Sequence, residues 1–141
     1  MIVQPEAVER FREAIIRRLG LSFEEAKLEG ARFDGAQLLF SNFAKADVTR
    51  ASFAGATIST ASWQYVTGAG ASFDDATIRE SLFDSAKLQG ATFRRAKLTE
   101  VSLIETDLSN ANLDAAELVD CTEDATVLDG ASLVNTVRRT S

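Results

Sequence analysis

Histidine is absent from this 141-residue sequence, and cysteine, proline, methionine, tryptophan and tyrosine occur once each. Without histidine, the chain lacks the usual general base and the commonest metal ligand. Serine and threonine are plentiful, but the sequence contains no glycine-rich phosphate loop and no cluster of metal ligands. The single Cys121 rules out an internal disulfide. We therefore expect a protein that is not an enzyme, with no catalytic residues, no cofactor and no metal.

Basic residues are outnumbered. The chain has 15 Lys and Arg against 21 Asp and Glu, which gives a formal net charge of −6. Because neutralising phosphates requires Lys and Arg, we expect no direct nucleic-acid binding. No apolar run approaches the roughly 20 residues of a membrane span, and the charged N-terminus has no secretory apolar segment. The sequence predicts a cytoplasmic protein that does not associate with membranes.

From residue 21 to residue 136 the chain repeats every five residues without an insertion. A bulky apolar residue, here called the centre, recurs from Phe23 to Leu133. Of the 24 centres between positions 23 and 138, only Gly68, Glu123 and Arg138 are not large and apolar. Two residues before each centre comes a small residue, which is Ala in 15 of the 24 units. The remaining three positions are mostly polar, charged or Gly.

This spacing fits neither a helix, which buries residues at steps of three and four, nor a strand, which buries every second residue. Two inward residues followed by a skip of three predict a corner every five residues. Four corners close a square coil of 20 residues, and stacked coils form a solenoid around one core. In this register Ala91 and Phe93 are buried and Arg94 is exposed. Cys121 falls in the small column, where a free thiol behaves as a small hydrophobe.

The stretch SNANLDAAEL at residues 109–118 and the Ala-x-Phe and Ala-x-Leu units between residues 26 and 98 resemble the motif A-[DN]-[LF]-x-x of the pentapeptide-repeat family. The resemblance covers about four-fifths of the chain. Members of that family form a right-handed quadrilateral parallel β-helix. The resemblance therefore implies an all-β solenoid of about six coils over residues 21–141. Ser, Thr, Lys and Arg often stand here where the motif has Asp or Asn.

Residues 1–20 break the period. Val8, Phe11, Ile15 and Leu19 recur at helical spacing, and Pro5 suits a first helical turn. An open solenoid end exposes unpaired strand groups, so we expect these residues to form an N-terminal α-helical cap over the first coil. The alternative is a helix that lies on a membrane surface, for which the necessary basic face is missing.

We number the four predicted walls in chain order. Wall 1 comprises residues 21–25, 41–45, 61–65, 81–85, 101–105 and 121–125, and walls 2, 3 and 4 each begin five residues further on. Wall 1 has six acidic residues and one lysine, a net charge of −5, whereas walls 2 and 3 each have −1 and wall 4 is neutral. An acidic wall with outward apolar residues is a candidate protein-binding surface. Its candidate residues are Glu24, Glu25, Tyr65, Leu82, Asp84, Ile104 and Glu105. The alternative is ordinary solubilising charge beside scattered apolar residues.

The repeat is interrupted once in its interior, at QYVTGAG, residues 64–70. Gly68 removes a core side chain, and two interpretations are open. In the first, Trp63 reaches across to fill the space. In the second, the segment bulges and displays Tyr65 on wall 1.

The sixth coil, residues 121–140, breaks the rule for centres at Glu123 and Arg138. It also has Val127, Val134 and Val137 at normally polar positions. Because apolar residues at an open solenoid end favour association, we expect a homodimer joined through the C-terminal coil. The alternative is a monomer whose final coil frays or folds over itself, with Glu123 and Arg138 paired in partial solvent.

The function expected from these features is that of a rigid, non-catalytic protein-interaction scaffold whose protein partner is unidentified. The resemblance implies one alternative, since some pentapeptide-repeat proteins bind type II topoisomerases such as DNA gyrase, imitate duplex DNA and confer quinolone resistance. Six coils at about 4.8 Å span about 29 Å, and duplex DNA of that length has about 17 charges. Residues 21–141 have a net charge of only −7. We expect no counterpart here of the projecting loops and the C-terminal dimerisation helix of those relatives.

Overall fold

The computed structural model describes residues 20–141, which form a parallel β-solenoid. Each coil contributes one short strand. The six strands are β1 (Gln37–Leu39), β2 (Thr57–Ser59), β3 (Thr77–Arg79), β4 (Lys97–Thr99), β5 (Glu117–Val119) and β6 (Val137–Arg139). They pair in chain order into one six-stranded parallel sheet, which forms wall 4. Residues 20–141 contain no helix.

Pairing between coils repeats at an interval of 20 residues. On wall 4, Leu38 of β1 pairs with Ile58 of β2. On wall 1, an isolated bridge joins Ser22 to Asn42, and walls 2 and 3 have bridges at the same interval. The predicted coil of 20 residues with four walls is therefore confirmed.

Each corner contains one left-handed residue, two positions after the centre. The φ angle of this residue lies between 50° and 71° at every corner from Gly20 to Asn135. At the corners that follow walls 1 to 3, the amide of the next small residue donates to the carbonyl of the centre, as Ala46 does to Phe43 at 2.9 Å. A four-residue turn with a left-handed third residue changes the direction of the chain sharply. A turn every five residues therefore produces the four walls.

The polar residue before each centre has a structural role. On walls 1 to 3 of the described chain, the amide just after the centre has no backbone acceptor. Asn42 Oδ1 accepts a hydrogen bond from the amide of Ala44, and Asp107 Oδ1 accepts one from Ser109, each at 2.9 Å. Short polar side chains are suited to such local bonds. This explains why Asn, Asp and Ser recur before the centres.

Two stacks of aromatic rings fill the first four coils, as the alternation of centres predicts. On wall 1 the ring centroids of Phe43 and Trp63 lie 4.1 Å apart, and on wall 3 those of Phe73 and Phe93 lie 4.8 Å apart. Rings of the two walls meet edge to face. Both arrangements are favourable for aromatic pairs. Phe93 is only 1% exposed, Ala91 is buried and Arg94 is exposed, which confirms the predicted register.

The segment around Gly68 keeps the regular register, because its bridges to the coils before and after retain the 20-residue interval. The predicted bulge is therefore wrong. A Cβ atom at position 68 would lie 2.8 Å from Leu88 and 3.0 Å from Val48, and the third neighbour is Val66. These aliphatic residues of the same wall lie nearest to the missing side chain. Filling of the space by Trp63 stays a prediction.

The predicted N-terminal cap lies outside the described residues, apart from Gly20, and stays a prediction. The amide of Gly20 already donates to the carbonyl of Leu39 at 3.1 Å. The solenoid pairing is therefore in place at the boundary predicted near residue 21.

The sixth coil is more open than the fifth. Leu108 and Leu113 of the fifth coil are fully buried, whereas Leu128 and Leu133, one coil later, are only partly buried. The fifth coil is covered by the sixth, but within the described chain no coil stacks on the far side of the sixth. Within residues 20–141, the hydrophobic core is therefore less covered in the sixth coil than in the fifth.

Candidate protein-binding wall

The acidic residues of wall 1 lie in two groups. Glu24 and Glu25 are exposed in the first coil, whereas Asp84 and Glu105 lie in the fourth and fifth. Since successive coils are about 4.8 Å apart, Glu24 and Asp84 are separated by about 14 Å along the solenoid axis. Asp124, which was not among the predicted site residues, extends the second group into the sixth coil. The predicted surface is therefore brought together mainly in coils three to five, and Asp124 extends it into the sixth.

Within residues 20–141, wall 1 has more carboxylates without an ion pair than any other wall. The six ion pairs of this region are Arg32–Asp34, Arg50–Glu29, Arg94–Asp74, Arg95–Asp75, Arg138–Glu123 and Arg139–Glu117. Only the pair of Glu123 involves wall 1. Within the described chain, the carboxylates without an ion pair on this wall are those of Glu24, Glu25, Asp84, Glu105 and Asp124. Their charge is available to a cationic partner.

Two of these carboxylates accept hydrogen bonds from serine hydroxyls. Ser102 Oγ donates to Asp84 Oδ1, and Ser85 Oγ donates to Glu105 Oε2 at 3.4 Å. Each bond joins neighbouring coils and restrains the carboxylate without changing its charge. Asp84 and Glu105 therefore form a partly preoriented anionic edge.

Apolar side chains project beside this edge. Tyr65 is 61% exposed at an ordinary corner with a φ angle of 60°, and Leu82 is 42% exposed. Ile104 is half-buried. Leu82 lies two residues before Asp84 on the same wall, and Tyr65 lies in the preceding coil. Exposed aromatic and aliphatic groups with charged neighbours are typical of a protein-binding surface.

Among residues 20–141, no group of three or more Asp, Glu or Cys side chains is placed to hold a metal. Cys121 is half-buried, its Sγ lies 3.3 Å from the carbonyl oxygen of Leu98, and burial raises the pKa of the thiol. These features agree with the predicted packing role. This part of the chain also forms no helix that is long and apolar enough to cross a membrane.

An ion pair on wall 3 was not foreseen from the sequence. Asp74 is 8% exposed and accepts hydrogen bonds from the backbone amide of Arg94 at 2.9 Å, from its Nε at 3.1 Å and from its Nη2 at 2.7 Å. Burial acts to raise the pKa of Asp74, but the hydrogen bonds from Arg94 outweigh it and hold the pKa below the usual value. Asp34 and Asp114 accept backbone amides of the following coil in the same way. In the sequence, these three aspartates recur every 40 residues, and this recurrence could have predicted their shared role.

The architecture defines a class of protein: a repeat solenoid that presents regular side-chain columns on a rigid scaffold. Comparison with known protein families supports this classification. Two profiles described as pentapeptide repeats match, one of nine copies over residues 23–67 and one of eight copies over residues 78–114 and 86–122. The chain belongs to the pentapeptide-repeat family.

Several solved structures of pentapeptide-repeat proteins are similar to this chain. HetL, involved in heterocyst differentiation regulation in the cyanobacterium Nostoc sp. strain PCC 7120, is 25% identical over 82% of this chain and 65% of HetL, with a TM-score of 0.45. Rfr23 from the cyanobacterium Cyanothece 51142 is 20% identical over 84% of this chain and 88% of Rfr23, with a TM-score of 0.31.

The third similar structure is a trypsin-treated form of QnrB1, a plasmid-mediated fluoroquinolone resistance protein. It is 19% identical over 83% of this chain and 67% of QnrB1, with a TM-score of 0.55. At this identity the likeness shows the fold alone. The chain spans about two thirds of the lengths of HetL and QnrB1. No curated protein matches the sequence.

Proposed function

We propose that this chain is a rigid, non-catalytic scaffold that binds a protein partner through wall 1. The observation that supports this proposal most strongly is the juxtaposition on one wall of carboxylates without ion pairs and the exposed side chains of Tyr65 and Leu82. The chemistry of the wall favours a basic partner surface with an apolar contact at its centre. Catalysis is not part of the proposal, because the sequence contains no histidine and residues 20–141 form no group of side chains placed to hold a metal.

The scaffold supports binding by fixing the positions of its side chains. Backbone bonds to the adjacent coils hold every wall, and the aromatic stacks fill the interior. Side chains in one column are therefore displayed at steps of about 4.8 Å. A partner that binds them loses little free energy in ordering the scaffold.

Charge reversal tests the proposed surface. In the doubly substituted variant Asp84→Lys/Glu105→Lys, partner recovery from an extract of the source cell should fall at least tenfold, because two attractive charges become repulsive. The matched control is Glu80→Lys/Glu100→Lys, which makes the same charge change in two neighbouring coils of wall 4. Asp34 and Asp114 are unsuitable controls, since each holds a backbone amide. Equal recovery by the two variants, with unchanged melting temperatures, would exclude wall 1 as the binding surface.

Binding through wall 1 should also weaken as salt increases. Exposed charges are screened over about 8 Å at physiological ionic strength, so the attraction between the wall and a basic surface decreases. The association rate should decrease more than the dissociation rate increases. A partner whose capture is insensitive to salt does not bind by this mechanism.

A second candidate function is binding to DNA gyrase as a DNA mimic. The similarity in fold to QnrB1, described as a fluoroquinolone resistance protein, favours it. The net charge of −7 over residues 21–141 disfavours it, because duplex DNA of the same length has about 17 charges.

A supercoiling assay separates the two candidates. A gyrase-binding protein inhibits supercoiling or protects the enzyme from a fluoroquinolone, and Asp84→Lys/Glu105→Lys should abolish that effect. If gyrase activity is unchanged by the protein and gyrase is not retained on it, the second candidate is excluded while the first stands. The cytoplasmic location expected from the sequence stays a prediction.

A further inference from the structure

Three carboxylates of wall 1 form a row along the solenoid axis, with one each in coils four, five and six. Asp84 is half-buried, whereas Glu105 and Asp124 are exposed. Since the coils stack at about 4.8 Å, the row spans about 9.6 Å. Asp84 and Asp124 directly follow their centres, and Glu105 lies one residue further along its wall. The row is therefore a zigzag rather than a straight line.

Apolar side chains flank this row. Tyr65 is 61% exposed at the corner that ends wall 1, one coil before Asp84. Leu82 is 42% exposed nearer the other edge of the wall, and its column neighbours one coil away on either side are serines. Half-buried Ile104 lies between the outer two carboxylates of the row. Together these side chains form a strip that is three residues wide, about 10 Å.

On the basis of the function proposed above, we propose that the partner segment that binds wall 1 is a basic amphipathic α-helix lying along the solenoid axis. Lysines or arginines at helix positions i, i+4 and i+7 pair with the carboxylates of Asp84, Glu105 and Asp124. An apolar residue one helical turn away contacts Tyr65 and Leu82. The partner is thus defined by charge complementarity together with an apolar anchor.

The spacing of the row matches that of a helix. Positions i, i+4 and i+7 lie within about 60° of one another on one helix face and span about 10.5 Å, against about 9.6 Å for the row. These three positions also alternate sideways, as the zigzag of carboxylates does. The diameter of a helix with its side chains, about 10–12 Å, matches the width of the strip. A single helical segment can therefore contact the whole strip.

An extended partner strand fits less well. Side chains on one face of a strand recur every 6.6–6.8 Å or so, and three of them span about 13 Å, which exceeds the row by about 4 Å. A column of side chains across a partner sheet has the correct step of about 4.8 Å, but it requires a cation on each of three neighbouring strands. A helix supplies all three cations from one short segment.

The row is partly fixed before a partner binds. Ser102 Oγ donates to Asp84 Oδ1, and Ser85 Oγ donates to Glu105 Oε2. A carboxylate that accepts one hydroxyl group keeps other lone pairs for a lysine or arginine of the partner. Because little side-chain ordering remains, the row should distinguish a helix of the correct spacing from one of equal charge.

Two fluorescent synthetic peptides of identical composition test this spacing. Both are alanine-rich helices with one leucine and three lysines. In the matched peptide the lysines occupy positions i, i+4 and i+7 and the leucine position i−4, whereas in the scrambled peptide these four residues are distributed around the helix. Fluorescence anisotropy at low ionic strength measures binding to the full chain. The matched peptide should bind at least tenfold more tightly, because only its cations reach all three carboxylates at once.

Variants of the chain locate the binding. The difference between the peptides should disappear in Asp84→Lys/Glu105→Lys and persist in Glu80→Lys/Glu100→Lys. Tyr65→Ala should weaken the matched peptide several-fold and leave the scrambled peptide unchanged, since only the matched leucine lies on the side of the cations.

Equal binding of the two peptides, or binding of neither, overturns the helical partner. So does tighter binding by an extended peptide in which three lysines alternate with threonines. If one of these results is found while charge reversal at Asp84 and Glu105 still reduces partner recovery from the source cell, wall 1 remains the binding surface and only the helix is excluded. If recovery is also unchanged, the proposed function fails as well.

Discussion

Thr60 occupies a left-handed corner with a φ angle of 53°, and its side chain is exposed. A β-branched residue is strained in this conformation by about 1–2 kcal/mol, while glycine adopts it freely. Glycine also increases the entropy of the unfolded chain, and this offsets roughly 0.5–1 kcal/mol of the free energy gained by relieving the strain. Thr60→Gly should therefore raise the free energy of unfolding by about 0.5–1 kcal/mol in urea denaturation. Thr99→Gly, in strand β4, should lower it, and a loss in both variants contradicts the strain argument.

Arg94 and Arg95 are adjacent, and each forms two side-chain hydrogen bonds to an aspartate 20 residues earlier. They differ in the partner, because Asp74 is largely buried whereas Asp75 is exposed. Removing one member of a pair costs most when the charge left behind is buried. Arg94→Ala should therefore lower the urea midpoint more than Arg95→Ala. The same midpoint for both variants would mean that the burial of Asp74 has no energetic consequence.

Acid should unfold the protein partly through its wall 3 aspartates. For Asp74 the pKa is lowered because the Arg94 hydrogen bonds outweigh burial. For Asp114 it is lowered chiefly by the Ser132 hydroxyl. An aspartate whose pKa is lowered on folding stabilises the folded state at any pH above its unfolded pKa of about 3.9. This stabilisation is lost as the pH falls through the lower pKa of the folded state.

The free energy of unfolding should therefore be nearly constant from pH 7 to about pH 5 and should fall below about pH 4. Asp74→Asn should be less stable at neutral pH, with a shallower loss in acid, when measured by urea denaturation across this range. A variant whose acid slope matches that of the wild type would show that Asp74 does not contribute.

At the scale of the coil, the rings of the two aromatic stacks contribute unequally to the free energy of unfolding. Phe93→Ala leaves a cavity in the wall 3 stack and should cost about 3–5 kcal/mol. Trp63 is fully buried, but its Nε1 has no hydrogen-bond partner within the described chain. Trp63→Phe removes a polar group whose burial costs about 1–3 kcal/mol and leaves a small cavity, so the two effects oppose each other. Its net change should stay within about 1 kcal/mol. A loss from Trp63→Phe as large as that from Phe93→Ala contradicts this assignment.

The coil was predictable from the sequence because its determinants are periodic. A small residue and a large residue at fixed positions in every five-residue unit determine which side chains point inward, and Phe93 and Ala91 lie where this rule places them. The local packing at Gly68 was not predictable, since it depends on how Leu88 and Val48 adjust across coils. Periodicity determines the column of a residue but not the rotamers that close a gap.

Across the whole molecule, the net charge of each wall was predictable, but its neutralisation was not. Wall 2 has four acids and three bases, yet only the geometry shows that Glu29 pairs with Arg50. The sequence therefore identified wall 1 as the most acidic wall. The structure adds that Asp84 and Glu105 lack ion pairs within residues 20–141 and that Tyr65 and Leu82 project beside them.

Site-specific photocrosslinking shows whether wall 1 is the surface that binds a partner. A photoreactive phenylalanine analogue replaces Tyr65 on wall 1 or, as the control, Ala115, an exposed left-handed corner residue on wall 3. We expect a specific crosslinked protein from position 65 in source cells, none from position 115, and loss of the crosslink in Asp84→Lys/Glu105→Lys. The same crosslinked protein from both positions, or a crosslink that survives charge reversal, would show that wall 1 is not the binding surface.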